Sequence, residues 1–101
     1  MGTYFVCYTY TDEGILTPGS SRKRFPFLKQ AVADLGGELV GFYLTTGMFD
    51  TVAIVNFPND ETVARFALAS ASQGYVRTVT MKAFSAEKYL DIIADLPGAE
   101  P

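Results

Sequence analysis

The sequence has no histidine, no tryptophan and a single cysteine, Cys7. Without histidine there is no imidazole to serve as a general base, to ligate haem or to complete the usual zinc sets. One cysteine forbids an intrachain disulfide. Cys7 lies between Val6 and Tyr8 in a strand-like run, where it reads as a small buried hydrophobe rather than a reactive thiol. Cations are scarce as well: eight Lys and Arg against eleven Asp and Glu give a net charge of −3. Phosphate-binding surfaces need clustered cations, and the one basic cluster, Arg22-Lys23-Arg24, reads as a solvated helix start. Nucleic acid is therefore not an expected partner. No apolar stretch approaches the roughly 20 residues that cross a bilayer, and no basic-then-apolar leader opens the chain. A cytoplasmic protein without membrane contact is the expectation. No glycine-rich loop precedes a lysine at phosphate-cradling spacing. Cys7 and the scattered carboxylates form no recognisable metal set, so neither metal nor cofactor is expected.

What the chain does have is aromatic and apolar surface: eight Phe and six Tyr among 101 residues. That length suits one domain with one modest core, here residues 1–95, followed by a flexible tail over 96–101. Thr3 to Thr11 alternates as a strand, with Tyr4, Val6, Tyr8 and Tyr10 on one side and Phe5, Cys7 and Thr9 on the other. β-Branched and aromatic residues suit a pleated surface. Ser20 or Ser21 can cap a helix to Leu35, whose stripe is Phe25, Leu28, Val32 and Leu35. Pro26 is tolerable there near the first turn, and Gly36-Gly37 stops the helix.

Glu38–Thr45 and Thr51–Phe57 are further strands, joined closely enough to form a hairpin. Pro58 ends the second of these. Asn59 or Asp60 then caps another helix, in which Val63, Phe66, Ala67 and Ser70 share a face. It is rich in Ala and Ser, and Gly74 ends it. Tyr75–Phe84 is a fourth strand, and Ser85 caps a short terminal helix with Tyr89, Ile92 and Ile93 as its apolar side.

This order predicts an α+β fold of the ferredoxin-like βαββαβ type plus a short C-terminal helix. The four strands form an antiparallel sheet in the order 4-1-3-2 with both main helices on one side. Both faces of the strands are apolar, so the helices leave one face bare. Four strands about 4.8 Å apart and about 20 Å long present on the order of 400 Å². Monomers seldom expose more than a few hundred Å² in one apolar patch. Burying about 400 Å² on each of two copies contributes on the order of 20 kcal/mol gross, most of it offset by association entropy and side-chain ordering. A second copy is the expected cover; the terminal helix is the alternative.

At Gly47-Met48-Phe49-Asp50 the chain resembles the GYD domain family, small bacterial proteins named for a Gly-Tyr-Asp signature. The resemblance runs from Thr3 to about Tyr89. It includes Tyr10-Thr11-Asp12 with Gly14, Gly36-Gly37, Phe42-Tyr43 before Gly47, Asp60-Glu61, Val76-Arg77-Thr78 and Ala83-Phe84-Ser85. It implies membership of the dimeric α+β barrel group, in which the sheets of two subunits pack face to face. Phe49 stands where the signature has tyrosine, and Asn56 where the family usually has an acid. The loop Thr17-Pro18-Gly19-Ser20-Ser21 lacks the family's Lys-Asp-Ser-Pro pattern.

The residues expected to serve a ligand are Tyr8, Tyr10, Tyr43, Asp50, Thr78 and Thr80. The three tyrosines combine apolar area with a polar tip and are candidates to line the space between two packed sheets. Asp50 either accepts backbone N–H groups at a turn or anchors a ligand at a cavity mouth. Thr78 and Thr80 share one side of the fourth strand, with Arg77 on the other. The leading expectation is a homo-oligomeric binding protein for a small apolar or aromatic ligand near the sheet-to-sheet interface. A cofactor-independent oxygenase or isomerase and a ligand-free assembly module are the alternatives. The catalytic residues of such an enzyme are not legible in the sequence.

Overall fold

The computed structural model describes residues 1–16 and 21–98. The elements are β1 (Gly2–Tyr10), α1 (Asp12–Leu16), α2 (Ser21–Asp34), β2 (Glu38–Leu44), β3 (Thr51–Phe57), α3 (Asp60–Ala71), β4 (Val76–Ala83) and α4 (Ala86–Ala94). Residues 17–20, including the expected Ser20 cap, and the end of the tail from 99 lie outside the described residues.

The four strands form one antiparallel sheet in the order β2-β3-β1-β4. Counted from the β4 edge this is 4-1-3-2, with β1 and β3 central. The register pairs Val6 with Ala53 on one side and with Thr80 on the other. β2 slips past β3 at a bulge between Leu39 and Gly41. A bulge adds one residue to one strand, so Leu39 and Phe42 share a face although they are three apart.

Strand faces are set by what packs on them. Tyr4, Val6 and Tyr8 of β1 and Ala53, Val55 and Phe57 of β3 are buried against Val32 of α2 and Val63 and Phe66 of α3. The Phe57 and Phe66 rings meet with centroids 5.3 Å apart. Full burial of an apolar side chain of this kind contributes about 1.5–3 kcal/mol.

Local chemistry explains where elements start and stop. Asn59 caps α3, its Oδ1 accepting from Thr62 N at 2.9 Å and from Thr62 Oγ1 at 2.7 Å. Ser85 Oγ accepts from Lys88 N at 3.1 Å and caps α4. Gly36 ends α2 at φ +76°, a conformation glycine adopts without a Cβ penalty. Pro26 is the sixth residue of α2, deeper than the first turn expected for it. It forgoes one helical hydrogen bond.

α1 departs from the expectation, since Asp12-Glu13-Gly14 reads as a simple strand end. Thr11 nucleates it: Ile15 N donates to Thr11 O at 3.0 Å and Gly14 N to Thr11 Oγ1 at 3.2 Å. Gly14 is pressed against the backbone of Tyr75, where a Cβ would lie 2.1 Å from the carbonyl oxygen.

α4 does not roof the sheet. None of its residues is buried, and Leu90, Tyr89 and Ile92 are 59%, 57% and 45% exposed. The molecule measures 52 × 30 × 18 Å with a radius of gyration of 15.8 Å, against about 13 Å for a compact chain of this length. The short dimension fits one sheet and one helix layer.

Candidate functional site

Two surfaces stand out. The first is the sheet face away from the helices. Phe5 and Cys7 of β1 lie beside Ile54 and Val52 of β3 and Met81 and Val79 of β4. Val79 and Met81 are 49% and 44% exposed, and Tyr43 and Val40 of β2 are more exposed still. Thr3 Oγ1 donates to Asn56 Oδ1 at 2.6 Å across the central strands, and Glu38, paired with Asn56, and Arg77, paired with Thr9, add charge at the ends of the same face. Cys7 is buried at the centre, and desolvation pushes its thiol pKa up. A raised pKa keeps it protonated and poorly nucleophilic, as its sequence context implied.

The second surface is a cleft of about 120 Å³ between α2 and α3, above the helix-facing side of the sheet. Its floor includes Tyr8, Phe42, Thr51 and Val76. One wall carries Arg24, Phe25, Phe27, Leu28 and Ala31 of α2, and the other Ala69, Ser70 and Gln73 of α3 and its end. The mismatch of the walls opens the cleft: large aromatics on α2 face small residues on α3. Phe25 and Phe42 meet edge-on with centroids 5.0 Å apart. Arg24 Cζ sits 4.8 Å from the Tyr75 ring and 6.0 Å from the Tyr10 ring, a cation–π arrangement. The Tyr8 hydroxyl lies 3.3 Å from Ser70 Oγ, which itself donates to Phe66 O at 3.0 Å. Burial pushes the Tyr8 pKa up to about 12, against a smaller opposing effect from Ser70.

A wider depression of about 580 Å³ lies at the far end of the sheet, bordered by Tyr4, Asp60, Lys82, Phe84 and Lys88. It contains a short polar chain. The Tyr4 hydroxyl donates to Asp60 Oδ1 at 2.5 Å, and Lys82 Nζ reaches the same oxygen at 3.2 Å. The hydrogen bond to the Asp60 carboxylate, with burial and the nearby charge, pushes Tyr4 up to about 12. Tyr4 and then Lys82 hold Asp60 below the usual carboxylate range.

The six residues expected to serve a ligand do not converge. Tyr8 and Tyr10 border the helix-side cleft, not the space between two sheets, because even-numbered β1 residues pack towards α2 and α3. Tyr43 pairs with Val52 on the open face and is 59% exposed. Thr78 and Thr80 pair with Tyr8 and Val6 on the helix side of edge strand β4, Thr80 exposed. Asp50 accepts from Tyr10 N at 2.8 Å and binds β1 to the start of β3, so backbone contact occupies it. Arg24, Phe27, Phe42 and Gln73 were not anticipated. Their signal was the heavy aromatic stripe of α2 set against an Ala- and Ser-rich partner helix.

Fold and surfaces define a ferredoxin-like α+β protein with one open sheet face and one aromatic cleft. The GYD domain model matches residues 4–93, and the chain belongs to that family. It is 35% identical over 97 residues to the glutamine synthetase and cystathionine beta-lyase binding protein of Thermus thermophilus, covering 95% of this chain and 99% of that protein. Among solved structures, TTHA0845 from the same organism superposes with a TM-score of 0.55 at 28% identity, covering 85% of this chain and 96% of that one. FFRP-DM1 superposes at 0.57 with 20% identity, covering 83% and 100%, a likeness of fold alone. No helix among the described residues is long and apolar enough to cross a membrane.

Proposed function

We propose that this GYD-domain chain is a small binding protein that acts as a homo-oligomer closed through its open sheet face and docks onto partner proteins. The observation that carries the self-association is the row of half-exposed Val79, Met81, Val40 and Tyr43 around Phe5 and Ile54, which α4 leaves uncovered. Face-to-face packing of two such sheets gives the barrel arrangement of the dimeric α+β group. The apolar side of α4, unpartnered within its own chain, is free to extend that contact onto a second copy. A nine-residue helix is marginal in isolation, so packing on a neighbour would stabilise it.

Protein docking is supported by the Thermus relative, whose name states that it binds two metabolic enzymes. Identity of 35% across nearly the whole chain makes binding of enzyme partners the reading to test first. Size-exclusion chromatography with light scattering tests the assembly: a dimer or larger species is expected at micromolar concentration, and a monomer overturns it. Biolayer interferometry with purified glutamine synthetase and cystathionine beta-lyase tests the partners. Absence of saturable binding to both removes that part of the reading.

A further inference from the structure

We infer that two copies meet on the open sheet face with their strands crossed at about a right angle, so that Glu38 of each pairs with Arg77 of the other. This arrangement rests on the face-to-face assembly proposed above and gives it an orientation.

Glu38, Arg77 and Lys82 are the charged residues of the four strands. Lys82 lies beside Tyr4 on the helix side and is held by Asp60. Glu38 and Arg77 are on the open face, both exposed, and neither has a salt bridge or a side-chain hydrogen bond among the described residues. They occupy opposite corners. Glu38 is on edge strand β2, level with Asn56 and Thr3, and Arg77 is on edge strand β4, level with Thr9. Strand spacing and rise put them about 14 Å apart across the sheet and about 20 Å apart along it.

A two-fold axis relating two such faces lies between them and parallel to both. It can run along the strands, across them, or along either diagonal of the face. The first two choices align the strands and set Glu38 opposite an uncharged corner of the other sheet, near Ala83 or Tyr43. The diagonal through the charged corners sets Glu38 against Glu38 and Arg77 against Arg77, which repel. The other diagonal crosses the strands at about 90°, one of the two ways in which sheets stack, and brings Glu38 over Arg77 at both ends. The face is close enough to square that the lateral mismatch there is about 4 Å. An extended glutamate and arginine span the gap between sheets about 10 Å apart, and the guanidinium fork suits a carboxylate. Such pairs at a rim set orientation more than affinity. The same turn lays Phe5 over Phe5 and Ile54 over Cys7, so the apolar centres overlap. Of the four choices it alone sets the Ala83 end of β4 against its own copy. The two α4 helices, whose apolar sides nothing in their own chain covers, then begin side by side.

The test is a charge-swap cycle on the full-length protein, read as the dimer dissociation constant by sedimentation at low salt. Glu38→Arg and Arg77→Glu each create two like-charge contacts per dimer and should each weaken it about tenfold or more. The double variant restores opposite charges and should return to within about threefold of the original affinity. Single swaps that leave the dimer unchanged, or a double variant no better than the singles, overturn the orientation and leave self-association standing. A monomeric unsubstituted chain overturns both. Zero-length carbodiimide coupling gives a second measurement should a swapped chain not fold by circular dichroism. Arg77→Lys supplies an amine for the Glu38 carboxylate, and the two positions lie about 25 Å apart within one chain, so a link between them joins two copies. A band of two-chain mass with the position-38 and position-77 peptides joined is expected. A dimer in which those peptides stay unlinked overturns the arrangement.

Discussion

The Asp50 carboxylate accepts the backbone N–H of Tyr10 at 2.8 Å, across 40 positions of sequence. Asp50 N donates to Tyr8 O at 2.8 Å, and Thr45 N donates to Asp50 O at 2.9 Å. One residue thus joins the end of β1, the β2–β3 connection and the start of β3. Asp50→Ala should cost about 1–2 kcal/mol, since it orphans a half-buried amide, while Asp50→Asn keeps an acceptor and should cost less. Urea denaturation of both variants checks this.

The open face can be charged without disturbing the core. Val79 is 49% exposed in the single chain, so Val79→Glu should change the stability of a monomer by no more than about 0.5 kcal/mol. In the proposed assembly it would bury an unpaired carboxylate against a second sheet, at a cost of several kcal/mol. Light scattering should therefore show the mass falling to that of one chain, with an unchanged circular dichroism spectrum.

Removal of α4 gives a second, separable test. Because none of its residues is buried within its own chain, a chain ending at Phe84 should keep its sheet and both main helices by circular dichroism. If α4 packs on a neighbour, the shortened protein should dissociate at higher concentration than the full chain. Sedimentation velocity across a dilution series measures the difference.

Tyr4 and Tyr8 make stability sensitive to alkali. Their pKa values are pushed up to about 12 from 10.0, so above pH 10 the folded state retains protons that the unfolded chain has released. The stabilisation is intact below about pH 10 and is lost as pH rises towards about 12. Absorbance at about 295 nm should show these two of the six tyrosines ionising late. The opposite sign holds at Asp60, whose pKa is lowered from 3.8. Its contribution is present above that value and lost as pH falls, and Tyr4→Phe should shrink the acid-side effect in urea titrations at low pH.

Gly14→Ala should be among the most damaging single-methyl changes. Its Cβ would lie 2.1 Å from Tyr75 O, a backbone atom that cannot swing aside. Overpacking of this kind costs about 1–3 kcal/mol, which a thermal melt would register as a drop of several degrees.

Much of this protein is written locally. The side chains of Asn59 and Ser85 cap helices within three residues of themselves, Gly36 ends one through its own φ, and alternation marks each strand. Such signals act over one turn or one pleat, so the order of the strands and of the other three helices, and the ferredoxin-like class, follow from the sequence alone, whereas the short α1 does not. Which face of β1 the helices cover does not, because both of its faces are apolar and alternation divides residues into two sets without ranking them. Only the packed structure turned Tyr4, Val6 and Tyr8 inward and left Phe5 and Cys7 on the open face. It also gave Asp50 a distant amide, sent α4 away from the sheet and placed Arg24 at the lip of an aromatic cleft. Each of these depends on contacts between residues far apart in the chain, where the fit of side-chain volumes decides the outcome.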